Sequence, residues 1–97
     1  MVEEYRGFIM QSTVTGYRVC RCDDNNTHIH FKNCNAAKRL IDNVVDEIIP
    51  RRVGNYYLSC IARLTKNEKY KEKVEQLLDV RANISRQRYF NPHKKSF

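Results

Sequence analysis

Gly16–Asp42, GYRVCRCDDNNTHIHFKNCNAAKRLID, reads as a β-hairpin that runs directly into a helix, and the rest of the chain attaches to that unit. Tyr17–Cys22 and Thr27–Lys32 are rich in β-branched, aromatic and cysteine residues, which favour strands. Between them, Asp23-Asp24-Asn25-Asn26 supplies residue types that tolerate left-handed backbone and close their own turns. Alternation puts Tyr17, Val19 and Arg21 on one face, with Arg18, Cys20 and Cys22 on the other. In the second strand Thr27, Ile29 and Phe31 oppose His28, His30 and Lys32. If Tyr17, Val19, Ile29 and Phe31 face the core, paired residue numbers must sum to an even value, because a slip of one inverts a strand. One such register sets Cys20 opposite His30 and Cys22 opposite His28, with a loop at Asp24–Asn26. Two thiols and two imidazoles then gather on the uncovered face.

The helix follows at once. Asn33 or Asn35 is a good N-cap, and Ala37, Leu40, Ile41, Val44, Val45, Ile48 and Ile49 recur at three- and four-residue steps. This stripe is wide enough to lie across a sheet, and Pro50 stops it. Upstream, Tyr5–Ser12 reads as one strand, with Thr13–Gly16 turning into the central strand to make a three-strand meander. Alternation leaves open whether Phe8 and Met10 or Tyr5, Gly7 and Ile9 point inward; the second set is preferred here. Downstream, Arg51–Gly54 connects to a second helix capped by Asn55, whose stripe is Tyr56, Tyr57, Cys60, Ile61 and Leu64. Thr65–Asn67 breaks it. Glu68 to about Ile84 reads as a third helix, carrying Tyr70, Val74, Leu77, Leu78 and Val80 at helical intervals. The segment from Arg86, RQRYFNPHKKSF, lacks periodicity and reads as an extended basic tail.

The expected fold is therefore a single α+β domain over residues 1–97: a three-stranded antiparallel sheet packed on one helix (5–49), a helical hairpin (55–85) and a basic tail (86–97). At 97 residues the chain supports one modest core and no deep cleft. Its net charge of +7 points to polyanionic partners. That charge is uneven. Through residue 35, Arg6, Arg18, Arg21 and Lys32 are balanced by Glu3, Glu4, Asp23 and Asp24, whereas from Val80 onward Arg81, Arg86, Arg88, Lys94 and Lys95 face no acid. The longest early apolar run, Phe8-Ile9-Met10, is too short for a signal or membrane segment, so a cytoplasmic location, reduced thiols and no membrane partner are expected.

Cys20, Cys22, His28 and His30 are zinc-ligand types, but residues two apart on a strand splay, while structural zinc takes ligands from turns. Ordinary strand residues, with no metal, are the expectation. A Cys-His nucleophile would need an orienting group and a water-excluding pocket, neither visible here. With only Gly7, Gly16 and Gly54 there is no phosphate-binding loop, and neither enzyme activity nor a cofactor is expected. The uncovered sheet face, with Arg18, Cys20, Cys22, His28, His30 and Lys32, suits a major groove, which admits a β-ribbon. Arg86, Arg88, Lys94 and Lys95 would add phosphate contacts, with Tyr89 and Phe90 anchoring or stacking.

TGYRVCRC, a polar turn, THIHFKN and then NAAKRLID resemble the three-stranded-sheet-plus-helix DNA-binding domain of phage and transposon integrase amino-termini and plant ethylene-response-type factors. Phe31, Ala36, Ala37 and Asp42 occupy matching places, over roughly residues 5–49. The resemblance implies double-stranded DNA as partner, with Arg18, Arg21, His28, His30 and Lys32 among the sheet positions that contact it. It departs from the family in that this sheet is neutral and residues 55–97 have no counterpart. The chain also looks like small phage or mobile-element proteins. This implies a rival function, a phage-encoded inhibitor of a host nucleic-acid enzyme of the anti-CRISPR kind, binding a host protein through an apolar hot spot at Phe8, Met10, Tyr89 or Phe90. A homodimer through exposed strand edges or the helical hairpin is a further arrangement.

Overall fold

The computed structural model describes the backbone of residues 2–90 and the side chains of residues 2–84. The chain runs β1 (Val2–Tyr5), β2 (Phe8–Ser12), β3 (Tyr17–Arg21), β4 (Asp24–Phe31), α1 (Cys34–Asp46), α2 (Asn55–Leu64) and α3 (Glu68–Phe90). All strands join one antiparallel sheet in the order β1-β2-β3-β4, so the sheet has four strands where the sequence predicts three. The added strand arises because Arg6 and Gly7, with φ of 49° and 87°, turn the chain inside the segment expected to be one strand. Tyr5 pairs with Phe8 across this two-residue hairpin.

Left-handed backbone costs a non-glycine residue about 1 kcal/mol. Arg6 offsets that through α1: its guanidinium lies 2.7 Å from Asp42 and 2.9 Å from Asp46, and the Tyr5 hydroxyl donates to the same Asp42 at 2.9 Å. The turn also resets the alternation. Phe8 and Met10 are buried in the core, while Gly7 sits in the turn and Ile9 is on the opposite face, which corrects the preferred inward set.

Between β3 and β4, Tyr17 pairs with Phe31, Arg18 with His30, Val19 with Ile29 and Cys20 with His28. The sums are even, as burial of Val19 and Ile29 demands, but the register lies two residues from the Cys20–His30 pairing. Cys22 and Asp23 make the turn, and the ladder shifts between Cys20 and Arg21. Asp24 explains why the polar run is strand rather than loop. Lys66, beyond α2, holds its carboxylate at 2.7 Å, and the other carboxylate oxygen accepts from the Asn26 N–H at 3.1 Å.

The helices pack on the face that carries Phe8, Met10, Val19 and Ile29. α1 is capped by Asn33, whose side chain accepts from the Ala36 N–H at 2.7 Å, and it buries Ala37, Leu40, Ile41 and Val44. It ends at Asp46 because Glu47 turns left-handed (φ 57°), several residues before Pro50. Val45, within α1, and Ile48, beyond it, are exposed, against the predicted stripe. α2 has Gly54 at its N-cap and buries Leu58, Cys60, Ile61, Ala62 and Leu64; Leu58 and Ala62 replace Tyr56 of the predicted stripe.

α3 enters the core through Tyr70 and Val74. The Tyr70 hydroxyl lies 2.6 Å from the Ile48 carbonyl and 3.0 Å from that of Asn43, satisfying the end of α1. Arg81 grips the α1–α2 connection through the carbonyls of Val53 (2.8 Å) and Arg51 (2.9 Å). α3 continues to Phe90, so the backbone of the expected tail is helical over its first residues; the rest, with Lys94 and Lys95, lies outside the described residues. Among the described residues, no helix is long and apolar enough to cross a membrane.

Candidate functional site

The register lays two rows across the sheet face turned away from the core. One holds Val2, Gln11, Arg18 and His30; the other holds Glu4, Ile9, Cys20 and His28. Across β3 and β4 these rows bring Arg18, His28 and His30 together, and the two imidazole rings meet edge to face at 5.1 Å between centroids. Arg18 reaches along the strand, its guanidinium 3.8 Å from Cys20 Sγ and 3.3 Å from the Asn25 carbonyl. Cys20 is 2% exposed, so this thiol is covered rather than bare. Lys32 follows β4 and is exposed.

Five carboxylates of the sheet, its turn and α1 are occupied. Asp42 and Asp46 take Arg6, Asp23 takes Arg21, Asp24 takes Lys66 and Glu3 takes Lys38. Among the described residues Arg18 and Lys32 have no acidic partner. Desolvation, then the charges of Arg18, His30 and Arg63, hold His28 below the usual imidazole range, so it is neutral at pH 7.

Arg21 stands apart from the other predicted contacts. It lies on the core-facing side, its guanidinium over the Phe8 ring at 5.3 Å, bound to Asp23 at 2.9 Å and to the Leu64 carbonyl at 3.3 Å. The sulfur and imidazole groups do not converge either. Cys22 sits in the β3–β4 turn, 3.5 Å from a Glu4 carboxylate oxygen, and burial followed by that carboxylate pushes its thiol up. Among the described residues, no three His, Cys, Asp or Glu side chains are placed to hold a metal ion. Of the hot-spot residues in the protein-inhibitor reading, Phe8 and Met10 are buried, and the side chains of Tyr89 and Phe90 lie outside those described, as do those of Arg86 and Arg88.

Beside this face lies a groove that the sequence did not announce. It encloses about 550 Å³ between the β2–β3 turn (Thr13, Thr15), the β3–β4 end (Tyr17, His30, Phe31, Lys32), the start of α1 (Asn33, Ala36) and α2 (Tyr56, Tyr57). Phe31 is the hinge of its wall, with ring centroids 5.9 Å from Tyr56 and 5.8 Å from Tyr57. The tyrosines are fixed by their hydroxyls. Tyr56 donates to the His30 carbonyl at 2.7 Å and lies 3.4 Å from the His30 N–H, while Tyr57 accepts from the Asn43 side chain at 2.8 Å. Desolvation raises both phenols, so they stay neutral. No carboxylate lines the groove.

No protein-family model, curated protein or solved structure matches the chain. The functional reading therefore rests on the residues of the face and groove themselves.

Proposed function

We propose that the chain is a small non-enzymatic DNA-binding protein that lays the face of its sheet opposite the helices against the major groove of a duplex. The observation that carries this reading is the pairing of charges: Arg18 and Lys32 have no carboxylate partner among the described residues, while Glu3, Asp23, Asp24, Asp42 and Asp46 are bridged to Lys38, Arg21, Lys66 and Arg6, and Glu4 accepts from the Cys22 thiol. Glu4 lies at the β1 margin of this face, so it is the β3–β4 end of a sheet neutral in total that is locally cationic. Arg18 carries a guanidinium fork suited to a guanine edge, neutral His28 presents one donor and one acceptor to bases, and the His30 imidazole lies beside it. Lys32 supplies a phosphate contact. In this reading Arg86, Arg88, Lys94 and Lys95 add phosphate contacts from the carboxyl-terminal part, while Arg21 serves the fold.

An electrophoretic shift against mixed duplex across a salt series tests the reading. Lys32→Ala should flatten the log–log salt slope by about 0.9 whatever the sequence, and Arg18→Ala should cost about 1–3 kcal/mol and relax base preference. Absence of a shifted duplex at low salt refutes it.

A further inference from the structure

We infer that the groove takes a single unpaired nucleotide, with its base against the rings of Tyr17, Phe31 and Tyr56 and its phosphate at Lys32. The inference rests on the DNA-binding reading, since it deepens what the same end of the sheet does. Three features of the groove specify this ligand together.

The first is size and wall chemistry. About 550 Å³ falls within the ~300–1,000 Å³ of small-ligand sites, and the walls are aromatic rings rather than aliphatic chains. Rings offer flat faces to a flat, π-rich ligand. The second is charge. Lys32 is the cation of the lining, no acid lines it, and α1 starts at its edge with no acidic residue in its first turn. An anion is favoured there by the lysine and by the positive end of the helix dipole. The third is preorganisation. Because the hydroxyls of Tyr56 and Tyr57 are tied to His30 and Asn43, the rings are already set, and little side-chain freedom is lost on binding. Thr13, Thr15 and His30 also line the groove and are of a chemical type that bonds polar groups on a base.

Stacking of this kind accepts any base, since every base has a π-face. The groove would therefore grip one unpaired nucleotide while the adjoining face of Arg18, His28 and His30 meets paired DNA. His30 and Lys32 border both.

The test is an NMR titration of the full chain with deoxyadenosine 5′-monophosphate, deoxyadenosine and deoxyribose 5-phosphate, each at millimolar concentration. Deoxyadenosine monophosphate should move the Tyr17, Phe31 and Tyr56 ring signals and the Lys32 amide, and deoxyadenosine should move the rings more weakly. Tyr17→Leu should lower monophosphate affinity about 5- to 150-fold, the range for loss of one stacking partner, and Tyr17→Phe should leave it within about twofold. Lys32→Ala should weaken the monophosphate and leave deoxyadenosine unchanged. Silent groove signals, equal shifts from deoxyribose phosphate alone, or unaltered affinity in a folded Tyr17→Leu protein would overturn the inference. Duplex binding without monophosphate binding removes the groove inference alone. The converse removes the duplex reading and leaves the groove standing.

Discussion

Gly16→Ala probes the junction on which both the β3–β4 register and the groove depend. The glycine has φ of 156°, and a Cβ built on it would press into the Phe31 carbonyl oxygen while lying 3.0 Å from Lys32 Cα and 3.1 Å from Phe31 C. Every one of these neighbours is backbone, so no flexible side chain can swing aside. Relief requires the end of β4 to retreat by roughly 1 Å, or the turn to open and surrender the 2.7 Å hydrogen bond from the Thr13 N–H to the Gly16 carbonyl. Overpacking of this kind costs about 1–3 kcal/mol, and the unfavourable φ adds about 1 kcal/mol. The expected destabilisation is thus about 2–4 kcal/mol, or a Tm lower by roughly 10–25 °C for a domain of this size. Urea and thermal unfolding followed by circular dichroism read it directly. The same displacement moves Phe31 and Lys32, so nucleotide and duplex affinity should fall together. A stability change under about 0.5 kcal/mol would mean that Gly16 does not pack on β4, and the Tyr17–Phe31 pairing would be wrong.

Three further outcomes are expected. Burial pushes the Tyr70 phenol from 10.0 up to about 12, so the folded chain keeps a proton that the unfolded chain sheds; stability should fall as pH rises from 10 to 12, and Tyr70→Phe should flatten that slope in pH-dependent urea melts. Asn33→Ala removes the 2.7 Å cap on α1 and should cost about 1 kcal/mol by the same melts, with stability near wild type counting against the cap. His28 should titrate below 6.5 in the free protein and shift upward when duplex phosphate is near, as followed by its imidazole carbon-bound proton signals. Because the unfolded chain takes up this proton first, His28 also lowers stability as pH drops below 6.5.

Period and parity carried much of the fold. Burial of Val19 and Ile29 on one face demanded an even register sum, and the structure obeys it. Ala37, Leu40, Ile41 and Val44 were legible as the α1 stripe because their spacing is helical throughout. What escaped the sequence depends on distant partners. Arg6-Gly7 lacks the usual hairpin residues, and the turn is supported by Asp42 and Asp46 some forty residues on. Asp23–Asn26 has loop chemistry, yet Lys66 reaches back to hold Asp24 in the ladder. Tyr56 sits at a helical interval with the core residues but is 58% exposed, because its hydroxyl is spent on His30. Of the site, the Arg18–His28–His30 face followed from alternation alone. The groove did not, since it assembles four segments that meet only after the sheet and α2 have packed.

The bond between the Tyr56 hydroxyl and His30 also bears on self-association. At one margin of the sheet it occupies the outward-pointing amide and carbonyl of β4 that another chain's strand would need for docking. At the other margin β1 presents Glu4, with Glu3 already bridged to Lys38, and the Glu4 charge would repel the same segment of a second molecule laid alongside. Each border thus carries an obstacle to sheet extension, a phenol at His30 and a carboxylate at Glu4, so crowded copies need not join into a continuous β-ribbon.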